Sequence, residues 1–244
     1  MEATMEWIVV LAIGLVAGTL GGIVGFGTSI MLLPVLVIVF GPLEAVPMMA
    51  ITALMANFSR VAVWWREVDW RVCAVYGLTG IPFAALGAST LLNLSSRTIE
   101  IALGVFFIVM IPARRRLQSG GMHVQLWHMS LIGAVIGFLT GIVVSTGPIN
   151  TPFFLAYGLT KGAFLSTEAM ASLTVYATKA IVFAQFGALT WPILWKGMIV
   201  GSSVMVGSWL AKRFVLRMDE NQFRYLMDGL MLMAGITMLV TSLR

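Results

Sequence analysis

Apolar runs of membrane-spanning length, separated by short polar breaks, fill almost the whole chain of 244 residues. A helix that crosses a bilayer needs roughly 20 mainly apolar residues. Hydrophobic residues make up 59% of the chain and charged residues only 10%, which is more apolar surface than a soluble core can bury. The sequence therefore predicts an all-α integral membrane protein with about eight to ten hydrophobic segments.

The apolar runs form two groups of five, one on either side of a basic stretch. The predicted segments are 7–24, 30–40, 45–65, 70–92 and 98–112, then 127–144, 152–160, 165–187, 190–212 and 222–243. This pattern predicts a first transmembrane repeat at 1–113, a basic cytoplasmic linker at 114–126 and a second, inverted transmembrane repeat at 127–244.

Two of these segments, 30–40 and 152–160, are too short to cross a bilayer core of roughly 30 Å as helices. Each follows a polar, glycine-rich break, and the two breaks read Gly25-Phe26-Gly27-Thr28-Ser29 and Ser145-Thr146-Gly147-Pro148-Ile149-Asn150-Thr151. Hydroxyl and amide side chains just before an apolar run are typical helix caps, so Thr28, Ser29, Asn150 and Thr151 are expected to cap the short helices. The fold prediction therefore includes two broken or re-entrant half-helix pairs.

The two halves match each other along their length. A shift of about 119 residues places Gly18 on Gly137 and Arg60 on Lys179. Each half has an odd number of crossings, whether its first two segments span separately or form a re-entrant hairpin, so the halves must have opposite orientations. Transporters are commonly built from such inverted repeats.

The basic residues indicate the sidedness of the chain. Nine fall on one side and two on the other, and the basic side is cytoplasmic by the positive-inside rule. The nine are Arg66, Arg71, Arg114, Arg115, Arg116, Lys161, Lys212, Arg213 and Arg217, and the two are Arg97 and Arg244. We expect a protein of a bacterial or archaeal cytoplasmic membrane with both termini outside.

The breaks and two cations inside apolar runs predict a substrate-binding site for an anion. Unpaired backbone N–H groups at a helix start attract negative charge. Arg60 and Lys179 are costly in lipid, although Arg60 could instead reach the interface near Trp65. The carboxylates, including Glu168, are expected mostly near segment ends. Glu168 or Asp228 could relay protons there, but carboxylates at segment ends are more often solvated. The candidate residues are Gly25, Phe26, Gly27, Thr28, Ser29, Asn57, Arg60, Ser145, Thr146, Gly147, Asn150, Thr151, Thr178 and Lys179.

Other function classes find little support in the residues. The single Cys73 and the pair His123 and His128 lack the spacing of metal ligands, so neither a metal nor a cofactor is expected. The basic residues lie between apolar runs, which argues against nucleic acid. An intramembrane enzyme built on Ser145 or Cys73 would have only Lys179 as a deep base, so no enzyme is expected. A passive anion channel stays open as an alternative. The expected partners are a small anionic solute and membrane lipid.

At the two breaks the chain resembles the sulfite exporter TauE/SafE family, also called the toluene-sulfonate uptake permease family. Gly25-Phe26-Gly27 through Pro34, and Thr146-Gly147 through Pro152, are similar to that family's signatures. The resemblance implies a secondary transporter that moves sulfite, sulfoacetate, another sulfonate or a carboxylate by alternating access, with proton coupling as an option. The family often has three glycines in a row, whereas Thr28 and Ser29 follow Gly27 here, which implies a different anion or tighter coordination.

Overall fold

A computed structural model describes residues 2–25, 27–119, 123–143 and 146–214, together with the isolated helical positions Leu232, Ile236 and Val240. Over these residues the chain contains nine α-helices, one short 3-10 turn and no strand, in agreement with the predicted all-α fold. The helices are α1 (Glu2–Val24), α2 (Thr28–Phe40), α3 (Pro42–Trp64), α4 (Trp70–Leu92), α5 (Ser96–Ser119), α6 (His128–Ile142), α7 (Gly147–Ala156), α8 (Lys161–Gln185) and α9 (Trp191–Phe214). The predicted segment 222–243 lies outside the described residues, apart from the three isolated positions.

Four helices within the described residues are long and apolar enough to cross a membrane. They cover Met5–Gly22, Pro42–Glu67, Trp70–Leu92 and Trp191–Ala211. Their outward faces are strongly apolar, and on α4 Leu78 is 76% exposed and Leu86 57% exposed. A soluble protein rarely exposes apolar faces of this extent, so these helices are those of a membrane-embedded bundle.

Both short helices fold back on the helix that precedes them. In the first half, the Thr28 hydroxyl donates a hydrogen bond to the Ala17 carbonyl at 3.1 Å, and the rings of Trp7 and Phe40 lie 5.4 Å apart. In the second half, the N–H of Val124, which precedes α6, donates to the carbonyl of Ala156 at the end of α7. We call α1–α2 the first hairpin and α6–α7 the second hairpin.

The long helices pack in reciprocal pairs between the halves. Helix α1 packs along α9, α6 along α4, and α3 against α8. The facing pairs are Gly14 with Ser203 and Gly22 with Ser208 for α1 and α9, Gly133 with Tyr76 and Gly141 with Ala84 for α4 and α6, Met48 with Gly197 and Met55 with Gly201 for α3 and α9, and Gly77 with Thr174 and Gly80 with Val175 for α4 and α8. The two helices in each of these four combinations run parallel, because residue numbers rise together along both. Helices α3 and α8 run antiparallel, because Arg60 contacts Glu168 while Trp64 lies beside Gly162. Helices α1 and α6 therefore run in opposite directions.

Several predicted boundaries differ from the structure. Helix α7 begins at Gly147, so Asn150 and Thr151 lie within the helix, and the prediction that they cap it is wrong. The Asn150 N–H donates to the Thr146 carbonyl at 2.9 Å, which closes the first helical turn earlier than the apolar run suggests. The cap position of α2 is Gly27, with no side-chain cap, so the expected capping by Thr28 and Ser29 is also wrong. Helix α5 continues through the start of the predicted linker 114–126.

Candidate functional site

The turns of the two hairpins meet at one cavity of about 40 Å³ inside the bundle. A single water needs roughly 10 to 15 Å³ of such space, so the cavity has room for a few waters or one small ion. The lining residues are Gly21, Gly25, Gly27, Thr28, Ser29, Ala53, Ala56, Asn57, Arg60, Thr146, Gly147, Glu168, Ser172, Tyr176 and Ser208. The cavity is thus lined by residues from both breaks and from helices α1, α3, α8 and α9.

Glycine makes the turn of the first hairpin possible. Gly25 has φ +85° and Gly27 has φ +118°, values that side chains with a Cβ rarely adopt. Helix α2 then begins at Thr28, and Thr28 and Ser29 are both buried in the cavity lining. The first N–H groups of a helix have no partner within it, so α2 presents its positive end to the cavity.

The turn of the second hairpin has a similar construction. Thr146 precedes α7 without a side-chain cap to the helix, because its hydroxyl pairs with the hydroxyl of Thr140 at 2.5 Å. Gly147, the first residue of α7, lines the cavity beside Thr146. Two helix N-termini therefore converge on one small space, an arrangement that favours an anion.

The Arg60 side chain points inward and joins three elements. Its guanidinium donates to the Gly25 carbonyl of the first break, to the Asn57 side-chain carbonyl one turn earlier on α3, and to Glu168 on α8. The Nη1 to Oε2 distance of the ion pair is 2.9 Å, and the side chains are 10% and 3% exposed. Arg60 therefore fixes the first turn rather than reaching the interface near Trp65.

Glu168 lines the cavity, and the expectation that it lies near a segment end is wrong. Asp228, the other carboxylate considered as a proton relay, lies outside the described residues. It is buried, and its Oε1 accepts hydrogen bonds from Asn150 Nδ2 at 3.1 Å and Ser172 Oγ at 2.8 Å. Helix α8 begins at Lys161 rather than at 165, which places Glu168 roughly 10 Å along the helix. Ser172 lies four residues later on the same helix face. This polar pair was the sequence signal for a buried position of Glu168.

Lys179 is fully buried but does not line the cavity. Its Nζ donates to the carbonyls of Thr140 at 2.8 Å and Val143 at 3.1 Å, at the C-terminal end of α6. A cation at that end of a helix is stabilised by the helix dipole. Lys179 therefore stabilises the second turn from outside the cavity. The Thr178 hydroxyl beside it donates a hydrogen bond within α8 to the Thr174 carbonyl.

The sequence profile of the sulfite exporter TauE/SafE family matches residues 10–238. The chain belongs to the TauE/SafE family. This TauE/SafE protein is also similar to the probable membrane transporter protein YjnA of Bacillus subtilis (strain 168), with 22% identity over 256 residues that cover 94% of this chain and 98% of the relative. No solved structure gives a significant match. The family prediction is confirmed, and the protein is an integral membrane transporter for a small solute.

The structure sorts the predicted site residues of this TauE/SafE protein into three groups. Those that line the cavity are Gly25, Gly27, Thr28, Ser29, Asn57, Arg60, Thr146 and Gly147. Those outside the lining are Asn150, Thr151, Thr178 and Lys179, and those outside the described residues are Phe26 and Ser145. Their role in substrate binding stays a prediction. Within the part of the chain that the structure describes, no cluster of three His, Cys, Asp or Glu side chains could hold a metal.

Proposed function

We propose that this TauE/SafE protein is a secondary transporter that carries a small organic or sulfur-containing anion, such as sulfite, sulfoacetate or another sulfonate, across a cytoplasmic membrane by alternating access. The observation that carries the proposal is the convergence of two helix N-termini and one guanidinium on a single buried cavity. Broken helices that meet near the middle of the membrane are the usual solute sites of secondary transporters.

The proposal includes two inverted repeats, α1–α5 and the chain from α6 onward. Three observations support it. Helices α1 and α6 run in opposite directions, each half opens with a hairpin, and the contacts of α1 with α9 have a counterpart in those of α6 with α4. Alternating access then corresponds to a movement of one repeat against the other around the cavity.

The proposed orientation places both termini and the open end of the first hairpin outside, and the open end of the second hairpin in the cytoplasm. Arg66 and Arg71 flank the turn between α3 and α4, whereas Arg97 is the single basic residue near the turn between α4 and α5. This distribution supports a cytoplasmic α3–α4 turn.

The expected sign of the solute's charge follows from the balance of charges at the cavity. Arg60 is already paired with Glu168, so these two side chains nearly cancel. The helix N-termini of α2 and α7 add partial positive charge, and neither the Ser29 nor the Thr146 side chain carries charge to oppose it. The remaining field favours an anion, and the family name makes sulfite and sulfonates the first compounds to test.

Flux into proteoliposomes tests the proposal. Wild type should take up sulfite or sulfoacetate, and Ala56→Leu should abolish uptake because Ala56 lines the cavity. Ala62→Leu is the matched control, since Ala62 lies on the same helix with an exposed side chain, and it should transport like wild type. Equal flux in the two variants would refute the cavity as the solute site. Stepwise single-channel currents would show a passive channel instead of a carrier.

A further inference from the structure

Inside the cavity, a carboxylate from the second half of the chain is bound to a cation from the first half. Glu168 Oε2 lies 2.9 Å from Arg60 Nη1, and both residues line the cavity. A transported anion that enters this space meets a guanidinium that is already bound to an anion. Two negative groups on one buried cation repel each other strongly, so the solute and the Glu168 carboxylate compete.

The surroundings of Glu168 connect it to both hairpins. Its other oxygen accepts hydrogen bonds from Asn150 on α7 and from Ser172 on its own helix. Through Arg60 it is also linked to the Gly25 carbonyl at the first turn. Displacement of the carboxylate from Arg60 therefore changes the contacts of both turns at once, as a movement between two access states requires.

We infer that Glu168 is the coupling residue of this transporter, which holds Arg60 in the empty cavity and releases it to the anion on taking up one proton. The inference rests on the proposed function. The proton comes from the aqueous compartment to which the cavity is open and forms the O–H bond of the carboxyl group. Arg60 transfers its hydrogen bond from Glu168 to the anion. The buried charge is then unchanged, because one anion enters with one proton.

Protonation is required because a buried carboxylate that has lost its cation is very unfavourable. In the part of the chain that the structure describes, the ionisable groups that interact with Glu168 are Arg60 on α3, Cys73 and Tyr76 on α4, and Tyr176 on α8. Phenols and thiols ordinarily titrate above pH 8, and arginine stays charged. Among these groups Glu168 is the carboxyl group, and it is the one bound to Arg60.

Proton movement with methanesulfonate is the test, because a sulfonate stays ionised across this pH range and pH then acts on the protein alone. In vesicles that contain a pH-sensitive dye, an inward methanesulfonate gradient should acidify the lumen with wild type. Apparent affinity should rise by up to tenfold per unit fall in pH, as expected for one linked proton. Glu168→Gln should take up the anion without acidification, driven by the membrane potential, and its affinity should not depend on pH.

Glu44→Gln is the matched control, because Glu44 is also paired with a cation, Lys196, at 2.7 Å, but away from the cavity. It should couple like wild type. Glu168→Asp keeps a carboxyl group and should retain acidification. Should Glu168→Gln fail to fold, difference infrared spectra of wild type and Glu168→Asp carry the test, since methanesulfonate should produce a protonated-carboxyl band that the Asp variant shifts.

Four outcomes separate the two hypotheses. Uptake by wild type without acidification and without pH dependence would overturn the inference and leave the transporter proposal intact. Acidification by Glu168→Gln equal to that of wild type, or a carboxyl band that Glu168→Asp leaves in place, would also overturn the inference. Absence of uptake for sulfite, sulfoacetate and methanesulfonate in wild type would overturn the proposed function, and the inference with it.

Discussion

Replacement of Arg60 or Glu168 by methionine separates the contribution of their ion pair to stability from its role in transport. Both side chains are almost completely buried, at 10% and 3% exposure. Methionine has a similar length, makes no hydrogen bond and fits an apolar site. The two single variants and the double variant form a thermodynamic cycle that isolates the pairwise free energy.

The two single variants should differ in cost. Arg60→Met leaves the Glu168 carboxylate buried without a cation, which should cost about 3 to 5 kcal/mol of unfolding free energy. Glu168→Met leaves Arg60 with two neutral acceptors, the Gly25 and Asn57 carbonyls. Its cost should be about 1.5 to 3 kcal/mol, the value of a hydrogen bond to a charged group.

The double variant should lose less unfolding free energy than the two single variants lose together. The difference, the coupling free energy, should be about 1.5 to 3 kcal/mol. The Lys196–Glu44 pair is the matched control, because its N···O distance is 2.7 Å while its side chains are 31% and 41% exposed. An exposed pair should give only about 0 to 1 kcal/mol. The unfolding free energy of every variant in both cycles is measured by SDS titration in mixed micelles, followed by the fluorescence of the eight tryptophans.

Two results would refute this reasoning. Additive costs at Arg60 and Glu168, with no coupling, would mean that the pair is not formed in the folded protein. A coupling for Lys196–Glu44 equal to that for Arg60–Glu168 would mean that burial does not set the strength of these pairs.

Three further predictions concern packing at the hairpins and helix contacts. Gly137→Ala should destabilise by about 1 to 3 kcal/mol, because its Cβ would lie 2.5 Å from the Gly80 carbonyl and must move about 0.9 Å to reach an ordinary contact of 3.4 Å. Gly77→Ala, whose Cβ would have its nearest neighbour at 3.5 Å, should be neutral in the same SDS unfolding assay, and equal losses would contradict the packing. Thr28→Val should cost about 0.5 to 1.5 kcal/mol by removal of the 3.1 Å hydrogen bond between α2 and α1, and an unchanged unfolding curve would show that this bond is not formed. Buried Cys73 should resist a maleimide until the protein is unfolded, so rapid labelling of the native protein would contradict its burial.

The helices could be predicted from the sequence because hydropathy marks where a chain enters lipid. Predicted segments 30–40, 45–65 and 70–92 agree with α2, α3 and α4 to within a few residues. Agreement is poorer for α7, because its first turn consists of glycine, proline and polar residues that hydropathy assigns to a loop. The helix forms there because its N-terminal turn is enclosed by protein, where backbone groups find partners.

The site was only partly predictable for a related reason. Glycines and hydroxyls at matching positions of two halves identified both breaks, and most of those residues line the cavity. The contact between Glu168 and Arg60 could not be predicted, because a linear pattern does not show that α8 packs against α3 and brings these residues together across 108 positions of sequence. A charge near the apparent end of a segment looks solvated until the partner helix is known.

Arg60 and Lys179, which align with each other between the two halves, bind similar backbone groups in the two hairpins. Arg60 donates to the carbonyl of Gly25 and Lys179 to that of Val143, so each binds a carbonyl at the C-terminal end of the first helix of its hairpin. Those carbonyls have no partner within the helix, and a buried cation satisfies them while the following helix keeps its N–H groups directed at the cavity. The ammonium of Lys179 is occupied by carbonyls behind the second turn, outside the cavity lining. The guanidinium of Arg60 has further donors in a planar fork, and these reach Glu168 and the cavity. Arginine in the first half therefore contacts both its turn and the cavity, whereas lysine in the second half contacts its turn from outside the cavity lining.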